Sequence, residues 1–421
     1  MTVAMCLALN QNHLVTQKCG NNNGLCIYPW IHMYGAPDGK WMLCCNQAPY
    51  NFLCANDIAT KVAWNCESIR NIRLSMIEGR LPQQCAQCHI LEESGVFSLR
   101  QQANIEWARY NHRIQQTSTD GEVTDPPVYL SIRFSNLCNH KCRTCSHDFS
   151  SSWYRDSVSL YGTSGSPNTL IDAWTNRSEF WQDAETWLIP NAKHIYFTGG
   201  EPLIQEGHFR FLDILTKLNL FDITLSYNTN LSSITFRNQS LIKIWKPFSH
   251  VHLYPSVDGI GKRGEYIRKG MKWDQWIEHV ILLEQFIVGF TVSISAYNIL
   301  HYPKLFSFLK KILPKVQPKA HLVTYPEFLS LHVFNLQMQS MIEANLLSFI
   351  SVEKYLSKQE REQVTSWITF MRTGKKFMHL EKLFKSFNEL LDIRRQESIS
   401  NMIPELSLWY EELEEAPWQS E

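Results

Sequence analysis

Three cysteines, Cys138, Cys142 and Cys145, form a C-x₃-C-x₂-C pattern within "SNLCNHKCRTCSHDFSSSW", residues 135–153. Three thiolates at this spacing can wrap three irons of a [4Fe-4S] cluster and leave the fourth iron without a protein ligand. An iron left open in this way is a binding site. The competing guest is zinc, with His140 or His147 as a fourth ligand. Zinc sites, however, usually join one C-x₂-C pair to a second pair of ligands, so the spacing favours the cluster.

The elements around this loop are readable from patterning. The chain has 421 residues, 44% hydrophobic and 19% charged, more than one ordinary domain needs. Lys plus Arg and Asp plus Glu are balanced at 40 each, so no bulk field points to nucleic acid or to a basic partner. The start, "MTVAMCLALNQNHLV", lacks the basic flank and long apolar run of a secretory signal. No stretch has the apolar length of a membrane span, and a cytoplasmic protein without a membrane partner is expected. In a reducing compartment the 12 cysteines read as metal ligands where clustered and as buried thiols where isolated, as at Cys6, Cys19, Cys54 and Cys66.

Residues 1–115 hold nine of the cysteines in turn-rich sequence and read as a small metal-stapled domain, followed by a polar linker at 116–127. From 128 to 325 strand-like runs ("VYLSIRFS", "HIYFTGG", "ITLSYNTN", "VHLYPSVDG", "TVSISAYN", "AHLVTYP") alternate with helical stretches. This alternation predicts an α/β fold, a parallel sheet curled into a barrel or partial barrel with its chemistry at the strand C-terminal ends. Residues 326–421 show only helical periodicity and read as a helical C-terminal region. The cysteine loop leaves the first of these strands.

These motifs together resemble the radical S-adenosylmethionine (SAM) superfamily. "YFTGGEPLI" ends the next strand with Gly199, Gly200, Glu201 and Pro202. By resemblance it orders the methionyl amino group of SAM, whose amino and carboxylate groups chelate the open iron. Later strand ends supply Thr229 and Asn230, Ser256 and Asp258, and Asn298, at positions similar to those that contact SAM. Arg268 resembles the arginine that pairs with the SAM carboxylate, with Arg263 as runner-up. Thr144 departs from the pattern, since an aromatic residue often precedes the third cysteine and packs on adenine.

The N-terminal part resembles twitch or SPASM-type auxiliary domains. "CIYPWIHMYGAPDGKWMLCC" makes a C-x₁₂-G-x₄-C hairpin from Cys26 through Gly39 to Cys44, and "LPQQCAQCH" adds Cys85 and Cys88. The resemblance implies one complete auxiliary [4Fe-4S] cluster on these four, with Cys45 as an alternative to Cys44 and a zinc ribbon as the competitor. It extends to a "C..C...E..G..S.R" run, here Glu92 or Glu93, Gly95, Ser98 and Arg100, and to a tail with Asp392, Arg395 and "PEL" at 404–406. The implied fold is a partial (β/α)₆ barrel with an N-terminal iron-sulfur domain. The implied activity is reductive cleavage of SAM to a 5′-deoxyadenosyl radical, which abstracts hydrogen from a peptide or small-molecule substrate. A flavodoxin- or ferredoxin-type protein would supply the electron, and the auxiliary cluster would accept one from the substrate. Modification of RNA or a nucleotide is an alternative, and a non-catalytic zinc-binding interaction module is a further one.

Overall fold

The computed structural model describes residues 24–47, 59–162, 168–374 and 377–414. Cys6, Cys19 and Cys54 lie outside the described residues. Ten strands appear in chain order: β1 (His32–Gly35), β2 (Trp41–Met42), β3 (Tyr129–Ile132), β4 (His194–Phe197), β5 (Thr224–Thr229), β6 (Thr235–Phe236), β7 (Gln239–Ser240), β8 (His250–Pro255), β9 (Gly289–Ile294) and β10 (Gln317–Leu322). The pairs β3–β4, β4–β5, β5–β8 and β9–β10 are all parallel. Parallel bridges Leu253↔Ile287 and Ser256↔Thr291 relate β8 to β9. Six parallel strands therefore succeed one another in chain order at the six runs the sequence pattern marks. Helices Glu206–Lys217, Trp273–Leu282 and Tyr302–Ile312 form crossovers, because parallel strands cannot be joined by tight turns.

The N-terminal region shares this sheet. Gly39 turns the β1–β2 hairpin at φ +85°, a conformation suited to glycine. β1 then pairs parallel with β3, Gly35 opposite Ile132. At the separate two-stranded β9–β10 sheet Gln87 Nε2 donates to Thr324 Oγ1 at 3.2 Å, just past β10. Glu106 and Lys319 of β10 are also within electrostatic reach of each other. The region thus touches both the first and the last of the six strands, and one hydrophobic core runs from Cys26 to Leu413. Within 116–127, expected as a linker, Thr117 Oγ1 accepts Trp30 Nε1–H at 2.7 Å and the Asp125 carbonyl accepts Trp64 Nε1–H at 2.9 Å. "WTNRSEFW" is core as well: Trp174 donates to the Ala36 carbonyl at 2.7 Å and packs on Trp41 and Phe180. Among the described residues no helix is long and apolar enough to cross a membrane.

Beyond β10 the chain is helical, with Leu336–Val352, Lys358–Thr373 and Phe377–Arg395 as its long elements. The last of these lies against the cysteine loop. Arg143, between Cys142 and Cys145 and fully buried, donates to Asn388 at 3.0 Å, to Glu397 at 2.9 Å and to Asp392. Asp156 accepts Arg394 at 2.6 Å and Arg395 at 3.0 Å, and pairs with Lys141 at 3.1 Å. The tail residue Asp392 is therefore a counter-charge of the loop's Arg143, and Arg395 pairs with Asp156 of the helix that follows the loop. Removing one partner of a buried ion pair strands the others at a cost of about 3–5 kcal/mol, whereas an exposed pair contributes about 0–1 kcal/mol. Arg143→Ala should lower the urea midpoint by a loss in that range. Lys358→Ala, which removes an exposed 3.8 Å pair with Glu362, should leave it nearly unchanged.

Candidate functional site

The loop leaving β3 has irregular backbone, and its groups are satisfied from outside. The Lys141 and Arg143 N–H groups donate to the Lys269 and Ile267 carbonyls, each at 2.8 Å. The "SSSW" run caps the loop from the other side. Ser150 Oγ donates to the His140 carbonyl at 2.5 Å, Ser152 Oγ to that of Cys138 at 2.7 Å, and Trp153 Nε1 to that of Cys142 at 2.8 Å. Cys138, Cys142 and Cys145 are free thiols. Burial, followed by its neighbours Cys142 and Glu201, raises the Cys138 thiol well above its ordinary range. Burial pushes Cys145 up to about 12. Three such thiols, each opposing the ionisation of the next, need a cationic guest to become thiolates together.

All three line one cleft, open to solvent, together with Gly200, Glu201, Asn230, Ser256 and Arg268. Gly199 and Gly200 have φ of +75° and +56°. A Cβ on Gly199 would meet the Arg133 side chain at 2.3 Å, and one on Gly200 would meet Leu137 O and Gln205 Nε2, both at 2.4 Å. The turn is thus pressed onto the cysteine loop, to which the Glu201 N–H donates at Leu137 O, 2.8 Å. Pro202 opens the short 3₁₀ turn Pro202–Ile204.

The Glu201 carboxylate is 1% exposed. Its Oε1 accepts Leu203 N–H at 3.1 Å and Thr229 Oγ1–H at 2.6 Å, and its Oε2 accepts Asn230 N–H at 2.6 Å. Burial raises its pKa to about 7 against these donors. Oε2 keeps a lone pair. Asn230 Nδ2 lies 3.9 Å from Cys138 Sγ and donates to Asn139 Oδ1 at 2.9 Å.

Arg268 Nη1 approaches Cys142 Sγ at 3.8 Å while its Nε pairs with Asp258 at 2.8 Å. Asp258 and Asn298 stand behind the cleft: Asp258 accepts Ser293 N–H at 2.8 Å, and Asn298 Nδ2 donates to the Asp258 carbonyl at 3.1 Å. The structure separates the two arginines, because Arg263 instead forms a forked pair with Glu405 of "PEL". His140 lines the cleft with neither ring nitrogen partnered, held neutral by burial with its pKa near 3. The His147 ring faces the Thr169 carbonyl at 3.0 Å instead.

Asn228, Thr291, Ser293 and Phe149 also line the cleft and were not expected from the sequence. The period-2 run of small polar residues Thr291, Ser293 and Ser295 in "TVSIS" is the signal that marks an inward polar face. Phe149 had no such signal.

Cys26, Cys44, Cys85 and Cys88 are also free and mutually close. Burial raises Cys26 most, then Cys85 and Cys44, with Cys88 also adding. Cys45, expected as an alternative to Cys44, is disulfide-bonded, as is Cys66, expected as an isolated thiol. Such pairing depends on spatial proximity that spacing in sequence does not reveal. The "E..G..S.R" run is a brace, with Glu92 as its acid. Glu92 accepts Arg100 Nε–H at 3.0 Å and Ser98 Oγ–H, and Arg100 Nη1 donates to the Leu25 carbonyl at 3.0 Å, next to Cys26.

No protein-family profile and no curated protein matches the chain. Solved structures give distant similarity. Streptococcus suis SuiB bound to S-adenosylmethionine aligns at 11% identity and TM-score 0.34, over 58% of this chain and 49% of SuiB. The chain thus spans about half the length of that protein. TYW1 with a lysine-pyruvate adduct bound aligns at 14% identity and TM-score 0.26, over 52% of this chain and 72% of TYW1.

Gly200→Ala should be costly for two reasons: the left-handed backbone, about 1–2 kcal/mol, and the contact with Leu137 O. Gly162, at φ +70°, is the control, because an added Cβ there would meet nothing within 4 Å. In thermal unfolding Gly162→Ala should lose only the backbone contribution and Gly200→Ala distinctly more.

Proposed function

We propose that the chain is a radical SAM enzyme. Cys138, Cys142 and Cys145 hold a [4Fe-4S] cluster whose open iron takes SAM. Cys26, Cys44, Cys85 and Cys88 hold a second cluster, and the six parallel strands form the partial barrel. The observation that carries this reading is one cleft lined by three half-buried free thiols, the Gly200–Glu201 turn and the strand-end residues Asn230, Ser256 and Arg268.

Bound there, the cluster and SAM supply one-electron cleavage of the sulfonium and hydrogen-atom abstraction from the substrate. The protein's part is placement and charge. Glu201 Oε2 offers its remaining lone pair to the methionyl ammonium, and its other bonds fix the end of β5 that carries Asn230. Arg268 brings a positive charge to the cysteine loop, oriented by Asp258. Cys26, Cys44, Cys85 and Cys88 would hold the second cluster, which would supply an electron acceptor for net oxidation of a peptide or small-molecule substrate, and a flavodoxin- or ferredoxin-type protein would serve as the reductant.

Anaerobic reconstitution should load about eight irons per chain. Replacing Cys138, Cys142 and Cys145 together by alanine should remove half of the iron and abolish 5′-deoxyadenosine formation from SAM under dithionite. Persistence of that product in the variant overturns the reading. Replacing Cys85 and Cys88 should remove the other half and leave SAM cleavage measurable, whereas stoichiometric zinc with full iron would reassign that site.

The ammonium contact requires an ionised Glu201, whose pKa is about 7. SAM affinity should therefore fall as pH drops from 8 to 6. Glu201→Gln should lower it about tenfold to a hundredfold at pH 8, as expected for one charge-assisted hydrogen bond, and should flatten the pH dependence. Equilibrium dialysis with labelled SAM reads both.

A further inference from the structure

Six arginines are buried among the described residues, and five have acceptors. Arg73 donates to the Pro29, Trp64 and Gly121 carbonyls and to Asn65, and Arg113 to the Trp30 and Pro126 carbonyls. Arg143, Arg268 and Arg395 each face a carboxylate. Arg133, 2% exposed, is the exception: its guanidinium makes no hydrogen bond or ion pair among the described residues, and its Nε is buried without a partner. Its charge lies over two rings, 5.1 Å from the centre of Tyr34 and 4.5 Å from that of Phe149. Ring faces stabilise a cation but accept none of the five N–H donors. A buried charge left in this way is costly unless an anion completes it.

The position is defined by register. Ile132, Phe197, Tyr227 and Leu253 lie side by side across β3, β4, β5 and β8. The next residues, Arg133, Thr198 and Asn228, therefore form a row on one face of the sheet. Asn228 lines the cleft and its Nδ2 also lacks an acceptor. Phe149, against the guanidinium, lines the same cleft beside Cys145. Tyr34, the other ring, feels Cys44 of the second thiol set, and Cys145 feels Arg133.

We propose that Arg133 is a substrate-binding residue whose guanidinium takes an organic carboxylate, holding the substrate between the two thiol sets with Asn228 as a further donor. A planar carboxylate matches the flat two-pronged donor edge of a guanidinium held against aromatic rings. The inference rests on the radical SAM reading for its substrate, and the anion site itself rests on geometry alone.

The test is calorimetric titration of the anaerobically reconstituted full chain with N-acetylglycine, a peptide-like carboxylate, and with its uncharged amide. Wild type should bind the acid saturably and not the amide. Arg133→Gln should weaken binding at least tenfold, and Arg133→Lys should retain part of it. The proposal is overturned if wild type shows no saturable binding, if Arg133→Gln binds within twofold of wild type, or if inorganic phosphate binds more tightly than N-acetylglycine. A tenfold loss of SAM affinity in Arg133→Gln would likewise overturn it, assigning the arginine to SAM's own carboxylate. If Arg133→Gln does not fold, wild-type crystals soaked in bromide decide: an anomalous peak within hydrogen-bond distance of the guanidinium supports the site and its absence overturns it. SAM cleavage is measured in parallel. Cleavage without N-acetylglycine binding sinks this inference alone, and Arg133-dependent binding without cleavage sinks the radical SAM reading alone.

Discussion

The loop that brings the three half-buried thiols together runs neither a helix nor a sheet ladder, so its backbone groups must find partners elsewhere. In this protein nearly every neighbouring element supplies one. The segment after β8 accepts the Lys141 and Arg143 N–H groups, and the turn after β4 donates to Leu137 O. The serines and tryptophan that follow the loop donate to its carbonyls. The helix Phe377–Arg395 and the turn after it meet its charge through Asp392 and Glu397. Regions far apart in sequence are tied to one short stretch of chain, and displacement of any of them would leave buried polar groups unpaired.

The same loop explains the charge layout of the cleft. Thiols raised by burial disfavour negative charge, and so does the buried Glu201, pushed up to about 7. Arg268 is placed where it touches both problems: it lies 3.8 Å from Cys142 Sγ and its charge lowers the pKa of Glu201. Asp258 keeps that arginine oriented without lining the cleft, and Asn298 holds the backbone of Asp258. Charge is thus balanced in layers, with the outer layer built from residues that touch no ligand.

Legibility in the sequence followed locality. The cysteine loop, the Gly199–Gly200 turn and the six strands are short-range patterns, and each could be read because spacing in sequence sets spacing in space. The choice between Arg268 and Arg263 could not be read, since it depends on Glu405 being folded over Arg263 from the far end of the chain. The same holds for Cys45, whose disulfide removes it from the free thiols, and for "SSSW", whose side chains bind loop carbonyls. Arg133 carries no signal in the sequence, because the absence of a counter-charge among the described residues is visible only in three dimensions.

The cysteine-rich region that precedes the six strands packs along them. Six parallel strands taken in chain order leave two edges, at β3 and at β10, and exposed edges must be covered. β1 covers the first by direct pairing, while the helices carrying Gln87 and Glu106 reach Thr324 and Lys319 at the second. One segment therefore serves both edges, and it can do so from either end of the chain, because β1 needs only to lie beside β3. Its thiols are brought by that coverage to the side of the sheet where Tyr34 and Arg133 meet.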